Sequence, residues 1–393
     1  MRTPTTLSGT GCQRQDPPAD RPPPPLRSEG RRIAPVTDVL LHLATTAEWR
    51  THLGRGEVRP SVAEFVHLSG PDQVALPAQR LFAGRADVNL LVLDPARIGV
   101  EVRYEPGLPT DPASMLFPHA YGPVPTSAVL AVLPYRPEFA APVLPALDTA
   151  GRALAVLTSV LRRTATAEEP VTGGVAVRTS SVPRSNQHNQ VLVDGTADAA
   201  AVADDAARVL HDRPRPAALL AGDHLEGTAS ALAAAGHAVD ALTVMAAPAG
   251  GHRSPGVRTV EPGALRPFRD AAWRRGVPDV DEESLAQLSD RWLREAEVVD
   301  LRCLAVEHDG AVVAAAVLKV DGATAVLDAV ETDPAHRRRG HGDALVAEAL
   351  AQAGDAGCDL VVLEADAVGR PRHWYARRGF RVVARAWQAT LSQ

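Results

Sequence analysis

The sequence has few lysines, few aromatic residues and few cysteines. Lys319 is the only lysine, so 40 of the 41 basic residues are arginine, and aromatic residues make up only 4% of the chain. Cys12, Cys303 and Cys358 are too widely spaced for a disulfide framework or a zinc knuckle, so no metal site is expected and a reducing cytoplasm is favoured. No apolar run approaches the ~20 residues that span a bilayer, and no apolar stretch follows Arg2 as in a secretory signal, so we expect no contact with a membrane.

Charge and length set further bounds. The formal net charge of -6 excludes a general basic coat for nucleic acid. The 393 residues exceed one ordinary domain and predict two or three. Residues 1–35 hold eight prolines and almost no large apolar residues, which predicts a disordered tail. Residues 36–142 form a first mixed α/β unit, and the alanine- and proline-rich stretch 138–145 predicts a linker.

Comparison of the chain with itself indicates a repeated β-α-β-α-β unit. The order strand, helix, strand, helix, strand occurs once in residues 144–252 and again in residues 256–393. The two copies are most alike where residues 235–239 match residues 378–382, around Gly236 and Gly379. The repeat therefore predicts two related units after the N-terminal one.

The second copy carries the strongest motif. The sequence Arg337-Arg338-Arg339-Gly340-His341-Gly342 follows a predicted strand and begins a predicted helix. Glycines at a helix N-terminus let backbone N–H groups approach an anion, and nearby guanidinium groups add charge and donors for phosphate oxygens. The loop is therefore suited to a pyrophosphate.

The strand, R-x-x-G-x-G, helix, strand and Tyr375-x-x-x-Gly379-Phe380 of residues 256–393 resemble the GNAT superfamily of N-acetyltransferases. The resemblance implies acetyl transfer from acetyl-CoA to an amine. It also implies that the backbone near Val330 and Thr332 pairs with the pantetheine arm, where the strands around Glu331 and Glu364 splay apart. The implied cofactor-binding residues are Val330, Thr332, Arg337, Arg338, Arg339, Gly340, His341, Gly342 and Asp343.

Acyl transfer to an amine requires an acid for the leaving thiolate and a base for the amine proton. Tyr375 stands where the family places its proton donor. For the base we favour Glu331, with Asp328 on the same strand and Glu364 and Asp366 on the next strand as alternatives. Because side chains alternate along a strand, Glu331 and Asp328 face opposite ways unless a bulge intervenes.

The first copy lacks these features. Thr196-Ala197-Asp198 replaces the arginine and glycine loop, and Leu232 stands at the position of Tyr375. A carboxylate at a helix N-terminus favours the helix but repels a pyrophosphate. Residues 144–252 thus resemble the degenerate first half of tandem acetyltransferases, with a lead-in strand expected over residues 178–189. Its expected role is packing, or forming one wall of the acceptor cleft.

The N-terminal unit carries a second set of motifs: His42-Leu43-Ala44, Phe65-Val66-His67-Leu68-Ser69, Leu91-Val92-Leu93-Asp94-Pro95, Arg103-Tyr104-Glu105 and Phe117-Pro118-His119-Ala120-Tyr121-Gly122-Pro123. With these motifs, about residues 37–136 resemble a second family, domain of unknown function 952. That family resembles the ADP-ribosyltransferase fold, which implies a nicotinamide dinucleotide cleft. The candidate residues of this second site are His42, His67, Glu105 and His119; alternatively, the histidines close strand ends by bonding backbone carbonyls.

The sequence thus predicts an α/β (α+β) chain in which tandem GNAT folds follow a small ADP-ribosyltransferase-like domain and a tail. The leading hypothesis is a cytoplasmic acetyl-CoA-dependent N-acetyltransferase acting on an amine of a small molecule or a protein. Two alternatives stay open: an NAD-binding or ADP-ribosyl-transferring N-terminal domain, and an acyl-CoA-binding sensor without turnover. The sequence leaves the acceptor and the oligomeric state open.

Overall fold

The computed structural model describes residues 38–60, 64–108, 110–136, 143–213 and 215–392. The predicted tail and most of the predicted linker lie outside these residues. The described elements confirm a mixed α/β fold.

Among its described residues, the N-terminal part has three small antiparallel sheets and two α-helices. Helix α1 begins with a capping box, in which the Thr45 hydroxyl accepts from the N–H of Glu48 and the Glu48 carboxylate accepts from the N–H of Thr45. The elements are β1 (Leu40–Thr45), α1 (Thr46–Arg55), β2 (Glu57–Val58), β3 (Val66–His67), α2 (Ala75–Phe82), β4 (Val88–Leu93), β5 (Val102–Pro106), β6 (Leu116–Ala120), β7 (Val124–Pro125) and β8 (Val129–Tyr135). The sheet orders are β1-β4-β8, β3-β6-β5 and β2-β7.

The middle part follows the predicted order except between residues 165 and 189, where two strands, over residues 167–171 and 174–178, were not predicted. Its elements are α3 (Thr149–Thr164), β9 (Ala167–Val171), β10 (Gly174–Arg178), β11 (Gln190–Val193), α4 (Ala199–Val209), β12 (Ala217–Ala221), α5 (Glu226–Ala234) and β13 (Ala238–Pro248). The strand expected over residues 178–189 is wrong: β10 ends at Arg178 and turns follow. The Asn189 side chain holds these turns, since it accepts from the N–H of Thr179 and donates to the carbonyls of Val182 and Ser185.

The C-terminal part repeats this order after an extra lead-in segment. Its elements are β14 (Arg258–Val260), α6 (Arg266–Gly276), α7 (Glu282–Asp290), α8 (Trp292–Glu295), β15 (Asp300–His308), β16 (Ala311–Asp321), β17 (Thr324–Thr332), α9 (His341–Asp355), β18 (Leu360–Asp366), α10 (Arg370–Ala376) and β19 (Arg381–Thr390).

Eleven of the described strands form one sheet. The middle part is the first half of this sheet and the C-terminal part is the second half, and the two halves exchange their last strands. The order is β14-β15-β16-β17-β18-β13-β19-β12-β11-β10-β9. Strand β13 of the first half lies between β18 and β19, and β19 of the second half lies between β12 and β13. Each half therefore completes its sheet with a strand from the other half.

The N-terminal part packs against the hairpin that joins β16 to β17. The Trp49 indole donates to the Asp321 carboxylate at 2.8 Å, and the N–H of Ala323 donates to the carbonyl of Val129 at 2.8 Å. Gly322 has φ +77°, and a Cβ atom there would lie 2.5 Å from the Val129 carbonyl oxygen. Glycine is required at this hairpin because the backbones of the two parts approach so closely.

Candidate functional site

A β-bulge in β17 sets the direction of its acidic side chains. Asp328 pairs with Val317 and Glu331 pairs with Ala315, so two residues of β17 face one residue of β16. Ala329, within the bulge, has φ +54°, which is uncommon for a residue with a side chain. Since Val317 and Ala315 share a face of the sheet, the bulge brings Asp328 and Glu331 to the same face.

Strands β17 and β18 diverge shortly after they begin. They pair in parallel only from Thr324 and Leu360 to Val326 and Val362. Beyond this point lies a cavity of about 350 Å³ whose lining includes Leu327, Asp328, Ala329, Glu364 and Tyr375. The predicted splay is thus present, and it opens into a space that can hold a small molecule.

Both halves of the sheet line this cavity, which we call the acceptor cavity after the acceptor cleft expected from the sequence. Apolar side chains come mainly from α3, and amide groups come from the first half and from β19. The remaining lining residues are Val156, Leu157, Val160, Leu161, Asn186, Gln187, Gln190, Ala217, Leu219, Leu242, Glu295, Lys319, Val326, Gln388 and Thr390. The turns of residues 179–189 therefore contribute to the wall that the sequence analysis expected from the first half.

A buried ionic cluster forms one side of the acceptor cavity. The Lys319 ammonium contacts the Glu295 carboxylate and lies 2.8 Å from Oδ2 of Asp328. Burial alone would lower the pKa of Lys319, but the two carboxylates raise that pKa above its usual range. Burial opposes ionisation of Asp328, yet Lys319 holds the pKa of its carboxyl well below the usual range. Both groups are therefore charged at neutral pH.

The cluster continues into the loop of the first half. His188 Nε2 lies 3.4 Å from Oε1 of Glu295, and His188 Nδ1 lies 3.0 Å from the Ser185 hydroxyl. Ser185 and His188 are completely buried. Sequence reasoning did not place Lys319, Glu295 or His188 in the site, although a lysine within the apolar run of β16 signals a buried partner.

Glu364 is the carboxylate of this cavity whose pKa is raised. Glu364 lines the cavity and is itself solvent-exposed there. Partial loss of hydration at the cavity wall raises the pKa of Glu364 to about 7, and the negative charge of Asp328 adds to the shift while Lys319 opposes it. Glu364 therefore exchanges a proton near neutral pH, as a general base must.

Tyr375 lies at the border between the acceptor cavity and a second, larger cleft, and it lines both. Its ring packs edge-on against Trp374 and Phe380, with centroid distances of 4.7 and 5.7 Å. Burial and the charge of Asp328 raise the pKa of Tyr375 to about 12, so its hydroxyl is protonated at neutral pH.

The second cleft, of about 1040 Å³, contains most of the predicted cofactor-binding residues. Its lining includes Val330, Thr332, Arg337, Arg338, Gly340, His341, Gly342 and Asp343, together with Arg370, Arg377 and Arg378. Arg339 is not among the lining residues, and its side chain donates to the carbonyl of Ala335.

The loop before α9 has the geometry of an anion-binding turn. Gly340 precedes the helix with φ +83°, no side chain caps the helix, and open space surrounds the Gly340 Cα. In the first half, the Asp198 carboxylate caps α4 by accepting from the N–H of Ala201 at 2.8 Å. The anion-binding position is thus open in the second half and filled by a carboxylate in the first.

The structure pairs Glu331 with an arginine outside the cavity lining. Its carboxylate lies 3.1 Å from the Arg275 guanidinium, which also contacts Asp333 at 3.4 Å. Of the carboxylates considered for the base, Asp328 and Glu364 line the acceptor cavity.

Three of the four N-terminal candidate residues meet on the sheet β3-β6-β5. His119 Nδ1 lies 3.3 Å from Oε2 of Glu105, and the ring of His119 lies 5.1 Å from that of His67. His42 is connected to this group only through its Nδ1, which donates to the carbonyl of His67 at 2.7 Å. Burial lowers the pKa of His42 to about 4 and also lowers the pKa values of His67 and His119.

No described helix is long and apolar enough to cross a membrane. No group of three or more histidine, cysteine or acidic side chains among the described residues is arranged to hold a metal ion.

Comparisons with known proteins match two segments of the chain. Residues 265–380 match the acetyltransferase (GNAT) family, and residues 43–132 match the family described as protein of unknown function, DUF952. No curated protein matches the chain.

Solved structures show more distant similarities. A GCN5-related N-acetyltransferase from Kribbella flavida is 20% identical, covers 63% of this chain and 97% of its own, and has a TM-score of 0.47. A GCN5-related N-acetyltransferase from Sphaerobacter thermophilus is 19% identical over 48% of this chain and 63% of its own, with a TM-score of 0.35. Protein CC0527 from Caulobacter crescentus is 24% identical over 24% of this chain and 84% of its own, with a TM-score of 0.22.

The family matches confirm both predicted resemblances: residues 43–132 form a DUF952 domain, and residues 265–380 form an acetyltransferase domain of the GNAT family.

Proposed function

We propose that the C-terminal half transfers an acetyl group from acetyl-CoA to an amine held in the acceptor cavity. The observation that carries this proposal is the position of Tyr375, which borders both the acceptor cavity and the arginine-lined cleft. A side chain at this border can serve a reaction between two ligands that enter from opposite sides.

The residues of the arginine-lined cleft fit a pyrophosphate-containing ligand. The uncapped start of α9 at Gly340 leaves its first-turn N–H groups for an anion, and Arg337 and Arg338 lie beside it. Gly342 approaches Trp374 so closely that a Cβ atom would lie 3.0 Å from the indole ring. Acetyl-CoA bound here would supply the activated acyl group as a thioester.

Two proton transfers accompany the proposed reaction: one from the acceptor ammonium and one to the leaving sulfur. An attacking amine must be neutral, so we propose that the Glu364 carboxylate, whose pKa is raised to about 7, accepts the ammonium proton in the acceptor cavity. The Tyr375 hydroxyl, whose pKa is raised to about 12, holds the proton that a leaving sulfur requires. Glu331, favoured from the sequence, remains a candidate that pairs with Arg275.

Calorimetry with acetyl-CoA tests the binding part of this proposal. Gly340→Glu places a carboxylate at the start of α9 and is expected to abolish binding. Gly310→Glu is the matched control, because Gly310 has φ +77° and equally open surroundings but lies in the β15–β16 turn. Binding that survives Gly340→Glu unchanged would contradict the proposal.

A turnover assay separates the enzyme from the sensor alternative. Release of free coenzyme A thiol in the presence of an amine supports acetyl transfer. If acetyl-CoA binds saturably but no amine in a broad panel causes thiol release, the protein is instead an acyl-CoA-binding sensor.

A second candidate function concerns the N-terminal domain. His119 is 2% exposed, and its Nε2 has no hydrogen-bond partner among the described residues. The Glu105 carboxylate accepts from the Tyr121 hydroxyl at 2.7 Å and faces His119 Nδ1, which leaves Nε2 as a buried acceptor. This arrangement favours a polar ligand such as NAD, bound or used for ADP-ribosyl transfer. A thermal shift of the full chain with millimolar NAD that disappears in His119→Phe would support it, and no shift would contradict it.

We also propose that the protein works in the reducing cytoplasm. Cys303 and Cys358 are buried free thiols, and burial raises the pKa of the Cys303 thiol to about 11.

A further inference from the structure

The charged side chains that line the acceptor cavity are mostly acidic. Glu295, Asp328 and Glu364 contribute three carboxylates, whereas Lys319 is the only cation among the lining residues. The lysine is already engaged, since its ammonium contacts Glu295 and lies 2.8 Å from Asp328. The lining therefore offers no cation that an acidic ligand could use.

Two further cations and a histidine lie near the cavity but do not line it. Arg269 and Arg291 act on Asp328 through space, but their guanidinium groups stack on Trp292 and Trp273 at 4.1 and 5.3 Å and do not line the cavity. His188 is completely buried behind Glu295 and is also absent from the lining. The charged groups that a ligand in the cavity would contact are thus acidic, apart from the engaged Lys319.

The rest of the lining is suited to neutral polar and apolar groups. The Gln388 amide donates to Gln190 Oε1 at 3.0 Å and to the Ala218 carbonyl at 3.2 Å, which fixes two of the amides in place. Asn186 is exposed and Gln187 is half-buried, so both are accessible to a ligand. Val156, Leu157 and Val160 of α3 form the apolar side.

We propose that the acceptor is a small amine without a carboxylate or phosphate group, for example a diamine or an amine that carries hydroxyl groups. This inference rests on the proposed function for the reaction, but it concerns only the charge of the ligand. A carboxylate next to the attacking amine, as in a free amino acid, would face Asp328 and Glu364 with no cation to pair with. The volume of about 350 Å³ favours a small molecule over a protein segment.

Amine pairs that differ by one carboxylate test the inference: cadaverine with lysine, tyramine with tyrosine, and ethanolamine with serine. Binding is measured by calorimetry on the full chain saturated with coenzyme A, and turnover by thiol release with acetyl-CoA. For at least one pair we expect the member without the carboxylate to bind and react at least about tenfold better. Equal or better binding of the amino acids would overturn the inference.

A charge introduced into the wall gives a second readout. Gln187→Arg adds a cation at the cavity and is expected to improve binding of the carboxylate-bearing member several-fold, while Gln187→Met, of similar length and neutral, leaves the preference unchanged. A preference unaffected by Gln187→Arg would contradict the inference.

The remaining outcomes separate the two proposals. Selective binding of the carboxylate-free amines without thiol release would support the inference and contradict acetyl transfer. If no small amine binds, or if only protein lysines are acetylated, the inference fails while acetyl transfer is judged by the thiol assay.

Discussion

Leu232 and Tyr375 occupy corresponding places in the helices α5 and α10 of the two halves. The Leu232 carbonyl accepts from the N–H of His237 at 3.2 Å, and the Tyr375 carbonyl accepts from the N–H of Phe380 at 3.3 Å. Leu232 is completely buried, whereas Tyr375 reaches the lining of two cavities. The repeat thus places a packing residue in one half where the other half has a hydroxyl at the candidate site.

Removal of that hydroxyl is the first prediction. Tyr375→Phe should lower kcat by about 100-fold, with acetyl-CoA affinity changed by less than about twofold, because the hydroxyl acts on a proton and not on binding. Steady-state kinetics and calorimetry measure the two effects. Tyr104→Phe removes the same atom from the N-terminal domain and should leave both unchanged. A kcat for Tyr375→Phe equal to that of the unmodified chain would remove Tyr375 from the acid role.

The second prediction concerns pH. Because the pKa of Glu364 is raised to about 7, the carboxylate should be protonated and inactive as a base below that pH, and kcat/KM should rise through pH 7. Glu364→Gln should lower the rate and abolish this rise. If Glu331→Gln abolishes it instead, Glu331 is the base.

The raised pKa of Glu364 also predicts how the stability of the fold depends on pH, and it fixes the sign of that dependence. An acid whose folded pKa exceeds its unfolded value near ~4.3 stabilises the fold when protonated and loses that contribution as pH rises to about 7. Glu364→Gln should therefore raise Tm relative to the unmodified chain at pH 8 but not at pH 4. An equal effect at both pH values would contradict the raised pKa.

The buried ionic cluster supports a fourth prediction. Lys319→Met leaves the carboxylates of Glu295 and Asp328 without their cation and should cost about 3–5 kcal/mol in the free energy of unfolding. The loss should be largest at pH 8 and shrink as pH falls and the carboxylates protonate. Urea denaturation measures it. The double variant Lys319→Met with Glu295→Gln should recover part of the loss, and no recovery would indicate that packing, and not charge, is responsible.

The fifth prediction compares alanine substitutions at two glycines with the same backbone angle. Their difference in stability measures the contact between the N-terminal domain and the acetyltransferase sheet. Gly322 and Gly310 both have φ +77°, but only at Gly322 would a Cβ meet the Val129 carbonyl, at 2.5 Å. Both alanine variants should lose about 1 kcal/mol from the backbone angle. Gly322→Ala should lose more, and the difference in Tm between the variants reports the contact between the two parts. Equal Tm values for the two variants would mean that the backbone near Val129 moves away from the added Cβ atom without loss of stability.

Much of the fold could be predicted because its signals are local. The glycine and arginine loop before α9, the matching glycines at 236 and 379 and the N-terminal motifs each depend on a few neighbouring residues. The exchange of β13 and β19 could not be predicted, because sequence order gives no preference between pairing within a half and pairing across halves. The N-terminal candidates were only partly brought together, because His42 reaches the others through a single backbone carbonyl.

Within the site, the orientation of the acidic residues was the least predictable feature. It depends on the bulge at Ala329, a non-glycine residue with φ +54°, for which the sequence offers no signal. The ionic cluster was missed for a different reason: Lys319, Glu295 and His188 come from three separate segments that meet only in the folded chain.

The exchanged strands make the two halves equivalent to a swapped dimer held within one polypeptide. Val244, on β13 of the first half, pairs directly with Glu364, so the backbone beside this carboxylate belongs to the half without the glycine and arginine loop. Excision of that half would strip β18 of a neighbour and expose a row of unpaired amides next to the site. The candidate site of the second half thus depends on a strand of the first half, and the two halves cannot be separated without breaking the sheet that positions Glu364.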